Sequence, residues 1–263
     1  MITSFRSVIM ACALAGSALA SVPAQADETD PPADIAVTGH VALVSDYRFR
    51  GLSQSGGDPA VQGGVTVSHV SGAYGGVWAS SIGFPQFPAQ QPVYGSQEVD
   101  LFAGWTGPVS SGVIADVGLT YYAYPGGHVG KAEYFEPYAS LSATLGPATA
   151  KLGAAYAWKQ AALDFNADGR RDDSFYLYGE LGGGVPNTPV SVLAHLGYTK
   201  GALSPDFATG RTSDYKGGFD YSIGATYAVT PNLSAGVTYQ GVDGAAIDGY
   251  SNDAVIATLK LSF

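Results

Sequence analysis

The sequence predicts an all-β protein, an antiparallel up-and-down transmembrane β-barrel of about 12 strands with short periplasmic turns and long extracellular loops. Three observations carry this. Apolar side chains alternate by two along segments of about ten residues, enough to cross a bilayer when tilted. Long and short connections alternate strictly between those segments. Charged residues make up only 13% of the 263 residues, about half the usual quarter of a soluble chain, while the 36 glycines are roughly twice the usual share. The chain is too apolar and aromatic to remain disordered.

Met1–Ala26 reads as a signal peptide: Arg6, an apolar stretch from Val8 to Ala20, and the small-x-small Ala24-Gln25-Ala26 before a cut. That stretch is too short for a transmembrane helix. The single cysteine, Cys12, lies inside it, so the mature chain is expected to have no disulfide, thiol nucleophile or thiolate metal site. Residues 27–38 are expected as a periplasmic N-terminal segment and 39–263 as the barrel. With 12 Lys+Arg against 22 Asp+Glu, the acidic balance argues against a nucleic-acid partner, whose phosphates need a basic face.

The strands are read from their faces. Val99, Leu101, Ala103 and Trp105 stand opposite Glu98 and Asp100, and Val113, Ala115, Val117 and Leu119 opposite Asp116 and Thr120. Leu152, Ala154, Tyr156 and Trp158 alternate with Lys151 and Lys159. Val190, Val192, Ala194 and Leu196 alternate with Ser191 and His195, and Leu233, Ala235, Val237 and Tyr239 with Ser234, Thr238 and Gln240. The last segment sets Val255, Ala257, Leu259, Leu261 and Phe263 against Thr258, Lys260 and Ser262, with Ile256 the one misfit.

A soluble β-sandwich shares this alternation, and connection lengths separate the two. Long connections are expected near Gly51–Ala60, Phe84–Ser96, Pro125–Ala132, Ala162–Asp173, Gly201–Asp214 and Val242–Asn252. Short ones centre on Ser71-Gly72-Ala73, Pro108-Val109-Ser110, Gly146-Pro147-Ala148, Pro186-Asn187-Thr188 and Pro231-Asn232. Tyr47, Tyr74, Trp78, Trp105, Tyr121, Tyr124, Tyr138, Trp158, Tyr198, Tyr227, Tyr239 and Phe263 fall near strand ends, where aromatic girdles meet the membrane interfaces. The terminal Phe263 after alternating apolar residues resembles the carboxy-terminal signal that the barrel insertion machinery reads, which makes that machinery an expected partner; the alternative is that Phe263 fills a core. Outer-membrane lipid is the other expected partner.

The stretch Ser45-Asp46-Tyr47-Arg48-Phe49-Arg50-Gly51-Leu52-Ser53-Gln54, with Tyr134–Ser140, Tyr176–Leu181 and Ala194–Tyr198, resembles the TorF-type porin family over essentially the whole mature chain. The first segment is the most specific, because generic barrel patterning does not demand an Arg-x-Arg pair inside an apolar first strand. The resemblance implies an outer-membrane barrel with a pore and implies no particular solute.

Charges that alternate inward must face water or each other, since Arg or Lys on the lipid face near the midplane costs about 2–4 kcal/mol. By parity the lumen set is Asp46, Arg48, Arg50, Glu98, Asp100, Asp116, Glu136, Glu180, His195, Asp220 and Lys260, joined by Tyr134, Tyr138, Tyr176 and Tyr178. Arg48, Arg50, Glu98, Asp116, Glu136 and Glu180 are expected at a constriction that small hydrophilic solutes cross by passive diffusion, the acidic excess giving a modest cation preference. The alternative is a salt-bridged plug in a narrow barrel that acts as a binding or structural protein, since open channels are typical of larger barrels. A barrel hydrolase is the remaining class. It would need a base and a nucleophile in reach, and of His40, His69, His128 and His195 only His195, with Ser191 on the same strand face, stands on a clear inward position. No nucleophile elbow or His-Glu-x-x-His motif occurs. No cofactor is expected. Asp164, Asn166, Asp168-Gly169 and Asp172 follow the early spacing of a calcium loop, but Phe175 stands where a bidentate Glu belongs and Arg170-Arg171 would repel a cation. A solvated turn is the expected reading.

Overall fold

A computed structural model describes residues 34–83, 94–127, 132–164, 171–208 and 217–263. The leader, His128 and most of the calcium-like loop, including Asn166, Asp168, Gly169 and Arg170, lie outside the described residues. In chain order the strands are β1 (Ile35–Val44), β2 (Arg48–Phe49), β3 (Leu52–Ser53), β4 (Ala60–His69), β5 (Ala73–Ser81), β6 (Gln97–Ser110), β7 (Val113–Ala123), β8 (Tyr134–Leu145), β9 (Ala148–Ala157), β10 (Ser174–Gly184), β11 (Val190–Gly201), β12 (Gly218–Ala228), β13 (Leu233–Val242) and β14 (Ala254–Ser262). All but β2 and β3 form one closed antiparallel barrel of twelve strands, each paired with its chain neighbours. The seam is β1 on β14, with His40 opposite Ser262 and Val44 opposite Thr258. The barrel begins at Ile35, ahead of the expected boundary at residue 39.

The outward faces are apolar, as the alternation requires: Val41, Leu43, Leu101, Leu152, Leu196, Ile223, Val255 and Leu259 are all exposed, Val255 by 66%. A soluble monomer does not carry a continuous apolar exterior of this extent. The two girdles are built from Phe135, Tyr156, Trp158, Phe175, Phe219 and Tyr239 at the long-loop end, and from Trp105, Tyr227 and Phe263 at the short-turn end. Five expected girdle members are corrected, among them Tyr124, which packs inside the barrel against the clusters around Val44 and around Tyr122. Tyr47, Tyr74 and Tyr138 turn inward into hydrogen bonds, and Trp78 packs beneath Tyr47. For Tyr74, Trp78 and Tyr138 the strand's period places the residue on the polar face, which outweighs its nearness to a strand end, whereas Tyr47 lies on the loop after β1 and is buried inside the barrel.

The long/short alternation holds, with one shift. The turn expected at Pro108–Ser110 is Ser111-Gly112, because β6 runs on to Ser110 through a bulge between Pro108 and Ser110. A bulge is where a strand accepts a proline that has no ladder donor.

The abundant glycine has a packing cause. Across the inward face, Gly64 sits directly opposite Trp78, Gly76 opposite Phe102, Gly104 opposite Tyr74, Gly118 opposite Tyr138 and Gly153 opposite Tyr178. A Cβ added at Gly118 or Gly153 would fall 2.4 or 2.3 Å from the facing ring. Each ring therefore lies across a notch in the neighbouring strand, and the rings cover the β4–β10 wall.

Apolar cores inside the barrel sit at the long-loop end. One joins Val44, Tyr47, Ala60, Ile82 and Ile256. The other joins Tyr122, Tyr134, Ala157, Leu163 and Ala202. The misfit Ile256 is thereby explained: it faces inward to anchor the first outer loop rather than outward to lipid.

Candidate functional site

The first outer connection folds into the barrel mouth. β1 ends at Val44, so Asp46, Arg48 and Arg50 lie on this loop and not on a long first strand, which corrects the expectation. The physical reason is local: β2 and β3 pair as a minimal hairpin around Arg50-Gly51, both with positive φ (49° and 81°), which no extended strand accommodates. Position 51 requires glycine, since a Cβ there would stand 2.2 Å from Val242 Cγ1 at the end of β13, two strands round from β1.

The hairpin is held by buried polar contacts. Arg48 Nε donates to Asp46 Oδ2 at 2.6 Å, and Arg48 Nη1 donates to the Asn252 carbonyl at 2.6 Å. Ser53 and Ser55 hydroxyls donate to Asp46 Oδ1 at 2.6 and 3.1 Å. Arg50 Nη2 reaches both oxygens of Glu136 on β8, at 2.8 and 2.7 Å, and its guanidinium lies 4.2 Å from the centroid of Tyr176 on β10. Tyr122 donates to the same carboxylate at 3.2 Å.

Beneath the hairpin a second network gathers on β9 to β12. His195 Nε2 lies 2.8 Å from the Tyr176 hydroxyl and 3.0 Å from Asp220 Oδ1, while its Nδ1 lies 3.3 Å from Glu180 Oε1. Lys151 approaches Glu180 at 3.9 Å and its ammonium lies 5.4 Å from the Tyr178 ring centroid. Both ring nitrogens of His195 are thus engaged, and Ser191 is not their partner. A third network sets the Tyr74 hydroxyl 2.5 Å from Asp116 Oδ1 and 2.5 Å from the Tyr138 hydroxyl.

Glu98 and Asp100 are buried together at the start of β6. Tyr47, on the loop, hydrogen-bonds Glu98, and burial followed by the nearby Glu98 and Asp100 carboxylates pushes its phenol well above the usual range. Tyr124, at the start of the third outer loop, is raised by burial and then by Glu98. Among the described residues no group of three or more His, Cys, Asp or Glu could hold a metal ion.

A cavity of about 250 Å³ occupies the lumen. It reaches from Thr38, Thr226 and Ser262 near the short-turn end to Asp46, Arg48 and Arg50 on the hairpin. Asp100, Glu180, His195, Asp220 and Lys260 also line it, whereas Glu98, Asp116, Glu136, Tyr138 and Tyr178 stand in the neighbouring networks. Sequence reasoning missed three participants. Lys151 was legible from its inward parity on β9, Tyr74 was assigned to a girdle, and His40 lines the cavity from β1.

Comparison with known proteins gives a family and a fold. A family model described as "Bacterial protein of unknown function (Gcw_chp)" matches residues 28–262. No curated protein matches. Among solved structures, the chain is similar to the NanC porin at 12% identity and a TM-score of 0.58, covering 87% of this chain and 99% of that one. It is similar to the KdgM porin at 10% identity and a TM-score of 0.54, covering 87% and 98%. The COG4313 outer membrane channel from Pseudomonas putida F1 matches at 13% identity and a TM-score of 0.52, covering 89% and 99%. At such identities the likeness establishes a shared barrel fold.

Proposed function

The chain belongs to the Gcw_chp family of bacterial proteins, and from its barrel we propose that it is an outer-membrane channel through which small hydrophilic solutes diffuse passively. The observation that carries this reading is the cavity: about 250 Å³ of the lumen is left open, lined by hydroxyl, amide and charged groups together with apolar ones such as Val44, Phe102 and Leu193, whereas barrels of about eight strands fill their interior with side chains. The hairpin at Arg48–Ser53 forms the constriction, and the resemblance to TorF-type porins agrees with a pore. Acidic groups outnumber basic ones along the lumen, with Asp46, Glu98, Asp100, Asp116, Glu136, Glu180 and Asp220 against Arg48, Arg50, Lys151 and Lys260, so the channel prefers cations modestly.

Liposome swelling with neutral solutes of graded size tests the reading. Uptake that slows steeply with solute size is expected, and exclusion of even the smallest solute overturns it. Reversal potentials in a salt gradient test the ion preference, and an anion-selective potential contradicts it.

A second reading, a plugged barrel that binds or anchors, is favoured by the buried Arg50–Glu136 pair, which fills the mouth with a compensated charge. Swelling rates equal to those of protein-free liposomes favour that reading.

A further inference from the structure

The lumen is divided into two chemically different walls. On β5 to β12 most charged groups and tyrosines are taken up with one another, in the Arg50–Glu136, Tyr74–Asp116–Tyr138 and Glu180–His195–Asp220 networks, with Asp100 on β6 the exception. On the wall formed by β12, β13, β14, β1 and β4, the cavity is lined mainly by neutral hydrogen-bonding side chains. Gln62, Thr66, Thr238, Gln240 and Thr258 are partly exposed there, and among the described residues their side chains make no hydrogen bond to another protein group. Five unengaged amide and hydroxyl side chains around one cavity are a set of donors and acceptors available to a solute. Beside them stand two rings. Trp78 lies against Gly64 and Phe102 against Gly76, and both line the same cavity.

We propose that this cavity is a binding subsite for neutral polyhydroxylated solutes of monosaccharide size. The inference rests on the channel reading and names the substrate class of that lumen. The chemistry selects the class. Amides and hydroxyls exchange hydrogen bonds with sugar hydroxyls in either direction, and a ring face accepts the C–H face of a pyranose without demanding charge. An ionic solute would have to exchange its hydration for neutral donors and acceptors, because most charges bordering the cavity are already compensated. Lys260, on the same wall, adds an ammonium donor that a sugar oxygen also accepts. The cavity holds about 250 Å³, a little below the usual range of small-molecule sites, which is room for a small solute such as a single sugar ring.

The three tryptophans allow a direct test. Trp105 and Trp158 face outward, so the refolded full-length mature chain carrying Trp105→Phe and Trp158→Phe reports through Trp78 alone. Glucose, glutamate and lysine are titrated against Trp78 emission, and in parallel against ion current in planar bilayers. Glucose is expected to change the emission saturably and to interrupt the current, with glutamate and lysine doing neither. Gln240→Leu together with Thr238→Val removes two hydrogen-bonding groups at nearly constant volume. It is expected to raise the half-effect concentration of glucose by at least about fivefold, the loss of roughly one hydrogen bond. Current without any saturable glucose response overturns the subsite and leaves the channel standing. A saturable glucose response without current leaves the subsite standing and overturns the channel. Equal or stronger responses to glutamate or lysine overturn the assignment to neutral solutes.

Discussion

Arg50 Nη2 stands 2.8 and 2.7 Å from the two carboxylate oxygens of Glu136, tying a hairpin that leaves the barrel after β1 to strand β8 on the far side of the lumen. The two residues are 86 positions apart in sequence and both side chains are at most 4% exposed. The contact helps to hold the first outer loop inside the barrel, together with the Arg48 contacts to Asp46 and to the Asn252 carbonyl. Replacing Glu136 by Ala leaves Arg50 buried without its counter-charge, a penalty of about 3–5 kcal/mol. The hairpin is expected to leave its seat, and single-channel conductance to rise with added current noise, while the barrel still refolds.

Gly51 makes an independent probe of the same seat. Its backbone is left-handed and a Cβ would overlap Val242 Cγ1. Gly51→Val carries the left-handed backbone cost of about 1–2 kcal/mol plus that overlap. The variant is expected to conduct like Glu136→Ala, and unchanged conductance in both shows that the hairpin does not set the width.

The glycine notches predict an effect on stability. A side chain at Gly153 would meet the Tyr178 ring at 2.3 Å. Gly153→Val is expected to lower stability by about 1–3 kcal/mol, the usual cost of overpacking, read as a lower urea midpoint for unfolding from lipid vesicles. Gly112→Val at a short turn serves as comparison: nothing lies within 4 Å of its Cβ position, so only the strain of its positive φ is felt.

The two faces of β11 and β12 separate lipid from lumen. Leu196 is 56% exposed on the outward face, while Ser222 faces the cavity opposite His195. Leu196→Arg is expected to lose stability by up to about 2–4 kcal/mol, depending on depth. Ser222→Arg is expected to fold with a smaller loss and to move the reversal potential toward anions. Equal destabilisation by both contradicts the assignment of faces.

Much of this architecture was legible because a barrel writes its two solvents into alternate residues. Val99, Leu101 and Ala103 against Glu98 and Asp100 leave little choice of face, and loop parity separates a barrel from a sandwich. What parity could not show is where a strand stops. Asp46, Arg48 and Arg50 keep the period of β1, yet the positive φ values at Arg50 and Gly51 belong to a turn, and the partners that stabilise it, Glu136 and Asn252, lie far away in sequence. Ile256 broke the pattern for the same reason, since its role is set by the loop packed on it. The pairing of Gly118 with Tyr138 depends on strand register, which composition alone does not encode.

Single-channel conductance of the refolded mature protein in planar bilayers tests the central claim most directly. The account predicts discrete ohmic steps of small conductance that grow when Glu136 is replaced by Ala. A correctly refolded barrel that carries no current across a wide voltage range, with or without that substitution, would contradict it.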